Sequence, residues 1–236
     1  MMYTSLFIIA FAGLLHASFQ LGVSMLTMLS GHSLGMGRSF PRLMRLNVAY
    51  FCGAAVITLL LFTGLAYLIS HSQIEMTLLW LGTSLFNIII GLLVMLFYFN
   101  RSRKSTGLWI PRAMAEYLRV RTKKTKRAAE AFTLGAGSVL AEAPFLIAPL
   151  MVAILYSLTS VPSTSFNRLA ELGIYSVVSL FPLIIIVAMV GAGHKISTIQ
   201  RWREDNKLFL QYCAGAGLVI LGAFVYVDKV MGGAIQ

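Results

Sequence analysis

The chain is poor in charge. Only 11% of its 236 residues are Asp, Glu, Lys or Arg, while 58% are hydrophobic. A soluble domain carries about 25% charged residues, so an ordinary water-facing surface is excluded. The mean hydropathy of +0.82 agrees. Acid is scarcest, with eight Asp and Glu against 19 Lys and Arg. Cysteine is nearly absent. Cys52 and Cys213 stand alone, with no Cys-x-x-Cys and no Cys/His cluster, so zinc and haem-attachment signatures are missing. No P-loop, dinucleotide fingerprint or nucleophile–base constellation occurs either, which argues against soluble-type catalysis.

What the chain has instead is long apolar runs. A membrane-spanning helix needs about 20 apolar residues, and six stretches qualify: 4–29, 47–69, 77–100, 132–158, 172–192 and 208–227. They are too long and unbroken for barrel strands. The expected class is an all-α, polytopic membrane protein with six transmembrane helices. The first run lacks a basic leader and a clear cleavage site, and reads as a retained helix.

The net charge of +11 suggests nucleic acid as a partner, but its distribution points elsewhere. Loops 30–46, 101–131 and 193–207 share one face if six spans alternate, and they hold 17 of the 19 basic residues. The positive-inside rule makes that face cytoplasmic. The expectation is a bacterial-type cytoplasmic (inner) membrane protein with both termini outside. The basic surplus then serves topology and lipid headgroups rather than nucleic acid. Each cysteine lies a few residues into its helix from the basic side. There a small, buried apolar residue is the expected role, with a redox pair as the alternative.

The basic loop 101–131 divides the chain into halves, 1–100 and 132–236, of three helices each. An odd number of spans per half forces opposite orientations. Two inverted three-helix repeats are expected, with a site at the midplane between them. A short internal match supports this. Leu15-His16-Ala17-Ser18-Phe19 aligns with Ala141-Glu142-Ala143-Pro144-Phe145, each preceded by a glycine, Gly13 and Gly137. Within the loop, Trp109, Ala113, Tyr117 and Val120 recur at helical spacing after Pro111. That pattern predicts an interfacial amphipathic helix. The run Lys123–Arg127 is expected to solvate at the anionic leaflet, or to offer a cytoplasmic partner its contact.

Glu142 is the only acid within the six apolar runs. An ionisable group in hydrocarbon is costly and by default functional. Pro144 and Pro149 beside it predict a broken helix, tolerated only where protein covers it or it lines a cavity. His16 is its counterpart in the first half, a group able to relay a proton or bind a metal. His16 and Glu142 are therefore the candidate transport site and a tentative metal pair. Gln20 lies one turn beyond His16, and Ser18, Ser24 and Ser138 add hydroxyls. Asn87, at mid-span in the third helix, completes the site or acts as interhelical hydrogen-bond glue. Pro182 suggests a kink. His32, His71 and His194 read as interfacial. The sequence names no cofactor.

The run Glu142-Ala-Pro144-Phe-Leu-Ile-Ala-Pro149 carries a resemblance, together with Phe181-Pro182-Leu, the Trp202 basic loop and Ala214-Gly-Ala-Gly with Gly222. It is similar to the transmembrane region of the cytochrome c biogenesis and thiol-disulfide carrier family, the CcdA and DsbD type, within the lysine-exporter superfamily. That resemblance implies the fold and two redox cysteines, one on the first helix of each half. Phe145 stands where the family has one cysteine, and Ala17-Ser18-Phe19-Gln20 holds none. Separately, Gly13-Leu-Leu-His16-Ala resembles the opening of the superfamily's nickel and cobalt exporters and urease-accessory permeases. Their following acidic and second His positions are missing here. The leading expectation is a transporter of a small solute or cation. The alternative is a transmembrane thiol-disulfide carrier or a cytochrome c biogenesis accessory.

Overall fold

The computed structural model describes residues 2–19, 23–29, 40–97, 117, 120–122, 124–159, 165–192, 201–202 and 205–232. Its main elements are α1 (Met2–Ser18), α2 (Val23–Leu29), α3 (Phe40–Ser70), α4 (Met76–Phe97), α5 (Ala128–Ala141), α6 (Ala143–Thr159), α7 (Ser165–Gly191) and α8 (Lys207–Val225). A π-helix, Tyr226–Met231, continues α8. No strand occurs among the described residues.

Helices α3, α4, α7 and α8 are each long and apolar enough to cross a bilayer. The pairs α1–α2 and α5–α6 are bent by 50° and 76°, and each pair adds a further span if it crosses as one. Apolar exposure follows. Only 22% of the most apolar stretch of α3 is buried, and that helix exposes Val56, Leu59, Leu60 and Leu68. Apolar surface on this scale is at home in hydrocarbon, not in water.

The core runs along α6. Eleven of its seventeen residues are buried, from Phe145 to Ser157. A helix apolar all round belongs in the middle of a bundle, and α6 touches α1, α3, α4, α7 and α8. Prolines shape this region differently from the sequence expectation. The chain breaks at Glu142, directly between α5 and α6. Pro144 is the second residue of α6, where its missing N–H costs nothing. Continued backward, the helix would set its ring against the carbonyl of Leu140, so α5 stops first. Pro149 breaks nothing: it is buried inside an unbroken α6. Helix α7 likewise runs through Pro182.

Small residues set two tight crossings. Where α4 meets α8, a Cβ on Gly91 would lie 2.7 Å from the Gly215 carbonyl, and one on Gly215 would lie 2.8 Å from that of Gly91. The Ser84 hydroxyl donates to the Gly222 carbonyl at 2.8 Å, and Gln211 Nε2 donates to that of Val94 at 2.6 Å. Where α3 meets α5, Gly53 lies against the Phe132 carbonyl and Gly135 against that of Tyr50. Glu130 opens α5 by accepting the backbone N–H of Lys126 at 2.8 Å and of Arg127 at 3.2 Å, which occupies donors that would otherwise be unpaired.

Candidate functional site

Glu142 is buried, 2% exposed, in the turn between α5 and α6. Its N–H reaches back to the carbonyls of Ser138 and Val139, and its own carbonyl accepts the N–H of Phe145 at 2.9 Å and of Leu146 at 3.0 Å. These bonds cover the backbone that the break frees, as apolar surroundings require. On α3, Tyr50 is wholly buried. The Tyr50 hydroxyl lies beside that of Ser138 and within electrostatic reach of Glu142, yet it makes no well-formed hydrogen bond.

His16 is buried at the end of α1, and its carbonyl accepts the N–H of Phe19 at 3.1 Å. Its Nδ1 shares a hydrogen bond of 2.9 Å with the hydroxyl of Tyr175 on α7. Tyr175 is wholly buried too. A Cβ on Gly13 would sit 3.2 Å from the Tyr175 carbonyl. Phe19, third after His16, and Phe145, third after Glu142, stack with ring centroids 6.0 Å apart.

Asn87 lies buried on α4, where its Nδ2 donates to the carbonyls of Thr83 and of Ala148 on α6, both at 2.9 Å. The second bond joins α4 to α6, and the Asn87 Oδ1 is buried without a hydrogen-bond partner. Pro149 is buried next to Ala148, whereas Pro144 is exposed. Gln20 lies outside the described residues, as do His32, His194, Trp109, Pro111, Ala113 and Lys123. Tyr117 and Val120 are described and exposed. His71 is exposed at the end of α3. The hydroxyls of Ser18 and Ser138 are engaged by their own helices, at the carbonyls of Leu15 and Gly135.

Other expectations change. Cys52 and Cys213 are exposed and free, not buried, because each falls on an outward helix face. No group of three His, Cys, Asp or Glu able to hold a metal occurs among the described residues. Glu142 is also not alone. Glu171, one residue before the expected fifth span, falls inside α7 because that helix starts at Ser165. It is 1% exposed. Ser157 on α6 donates to its Oε2 at 2.7 Å, while Oε1 has no hydrogen-bond partner.

Tyr50 and Tyr175 escaped the sequence reading, although a signal was present. They lie 125 positions apart, and His16 and Glu142 lie 126 apart. Comparison with protein-family models, with curated proteins and with solved structures gives no significant match.

Proposed function

We propose that this multi-pass membrane protein is a transporter of a small solute or cation. Two inverted repeats, 1–100 and 132–236, would move against each other around a site at the two helix breaks. The observation that carries this reading is the Phe19–Phe145 stack. Residues equivalent in the internal match touch each other, as expected when a pseudo-two-fold axis passes between the breaks. The pattern extends outward. His16 meets a buried tyrosine on the second helix of the other half, and Glu142 has Tyr50, on the second helix of the first half, within electrostatic reach. The tight pair Gly91 and Gly215 face each other reciprocally on the third helices.

The chemistry fits passage rather than catalysis. A buried imidazole bonded to a tyrosine hydroxyl and a buried carboxyl at broken backbone offer polar contacts in an apolar bundle. The resemblance to the CcdA and DsbD type enters this proposal through the fold. Its thiol chemistry does not, because the cysteines here lie on exposed faces of α3 and α8 rather than on the first helix of each half. In this reading the basic loops face the cytoplasm and the termini lie outside.

Two measurements test it. Single cysteines placed in loops 71–75 and 101–131 should label from opposite sides of the membrane, and cysteines at both termini from the side of 71–75. Purified protein in liposomes should take up at least one member of a panel of amino acids, organic cations and divalent metals. Same-side labelling of the two loops, or a panel with no protein-dependent uptake, would overturn the proposal.

A further inference from the structure

A second polar cluster lies where α4 begins and α6 ends, away from the helix breaks. Trp80 is in the second turn of α4 and Tyr156 in the last turn of α6. Their rings meet at right angles to within 18°, with an interplanar angle of 72° and centroids 5.1 Å apart. The ammonium of Lys229 stands over both, 5.7 Å from the Trp80 centroid and 5.0 Å from that of Tyr156. Asp228 Oδ2 lies 3.2 Å from the same ammonium and accepts the Tyr156 hydroxyl at 2.7 Å. Asp228 and Lys229 belong to the π-helix Tyr226–Met231, a rare form that recurs at functional sites.

Aromatic side chains near helix ends ordinarily form a belt facing lipid headgroups. These two do not. Trp80 is 4% exposed and Tyr156 3%, so their rings face inward, onto a cation. Lys229 itself is a third exposed and reaches water. Two aromatic faces and one carboxylate around an ammonium are the contacts that organic ammonium groups prefer. Hard metal cations need several oxygen ligands instead, and ring faces supply none.

The geometry points to a binding box for an organic ammonium group, formed by Trp80, Tyr156 and Asp228 and held closed by Lys229 as a tethered occupant. A free ammonium ligand enters when the lysine side chain swings out to water. The site stands independently of the transport reading, since it uses none of the residues at the breaks.

Removing the tether tests it. Lys229→Ala deletes a fragment whose free equivalent is n-propylammonium. In protein with Trp80 as its sole tryptophan (Trp109→Phe, Trp202→Phe), n-propylammonium chloride is titrated against matched sodium chloride while Trp80 emission is followed. Lys229→Ala should show a saturable response, with affinity roughly tenfold or more above that with Lys229 intact. Adding Asp228→Asn should weaken it again by about tenfold. Lys229→Met, which fills the box without charge, should stay silent, and Lys229→Ser opens the same space should the alanine protein misfold. A response absent from both opened variants, or equally strong in Lys229→Met, would overturn the assignment.

Discussion

Phe19 and Phe145 stack across the bundle, with ring planes 17° apart and centroids 6.0 Å apart. Each is the third residue after a buried titratable group, His16 or Glu142, and each donates its N–H to that residue's carbonyl. Replacing both rings tests whether this contact couples the halves. Phe19→Ala and Phe145→Ala should each destabilise by about 3–5 kcal/mol as buried aromatic truncations. The double variant should cost less than the sum, by roughly 0.5–3 kcal/mol of pairwise coupling. Unfolding curves of the four proteins in mixed detergent give the cycle. Strict additivity would deny the coupling.

The two buried tyrosines should respond differently to loss of the hydroxyl. Tyr175→Phe leaves His16 Nδ1 without its partner, at a cost of about 1–3 kcal/mol. Tyr50→Phe removes a buried hydroxyl that has no well-formed hydrogen bond, so it should cost nothing or stabilise slightly, because an unpaired buried hydroxyl carries a desolvation penalty. The same detergent unfolding assay separates them. Equal losses would contradict the hydrogen-bond assignment.

Glycines at the crossings should not tolerate a methyl group. A Cβ at Gly91 or Gly215 runs into the opposite backbone, whereas at Gly64 and Gly82 the added carbon meets nothing within 4 Å beyond its own stretch of helix. Gly91→Ala should lower stability by about 1–3 kcal/mol through overpacking. Gly64→Ala should raise it by roughly 0.5–1 kcal/mol through helix propensity. Thermal unfolding followed by size-exclusion chromatography reads both signs.

Asn87 should behave as glue between α4 and α6. Asn87→Ala removes its bond to the Ala148 carbonyl, and interhelical hydrogen bonds in membranes average about 0.6 kcal/mol with a ceiling near 1.7. A loss within that range is expected, measured by the same unfolding curves. Transport abolished with no change in stability would instead make Asn87 part of the site.

Much of the fold was legible because apolar run length is set by the bilayer. The runs 47–69, 77–100, 172–192 and 208–227 fall within or beside α3, α4, α7 and α8. The break at Glu142 was legible too, because Pro144 bars a helix from continuing into it. Pro149 misled, since a buried helix interior accepts a proline when neighbours cover the backbone. The bend after Ser18 has no proline to announce it. Glu171 was missed by one residue of span boundary, and helix ends are where sequence signals are weakest. Tyr50 and Tyr175 looked like ordinary apolar-helix aromatics, and only their partners across the bundle, which lie far away in sequence, set them apart. The cysteines looked buried by residue type, but their helix faces point outward.

The redox alternative makes a separate demand. Cys52 and Cys213 should remain reduced in cells under both oxidising and reducing growth conditions, as shown by thiol trapping with a mass-shifting maleimide. Cycling of either thiol would revive that alternative.

The most direct measurement is protein-dependent uptake into liposomes by the parent and by Glu142→Gln, an isosteric change that removes only the ability to ionise. With the substrate found in the panel above, uptake should fall by about tenfold or more while the protein stays folded. Uptake at the parental rate by a folded Glu142→Gln protein would contradict a transport site at the helix breaks.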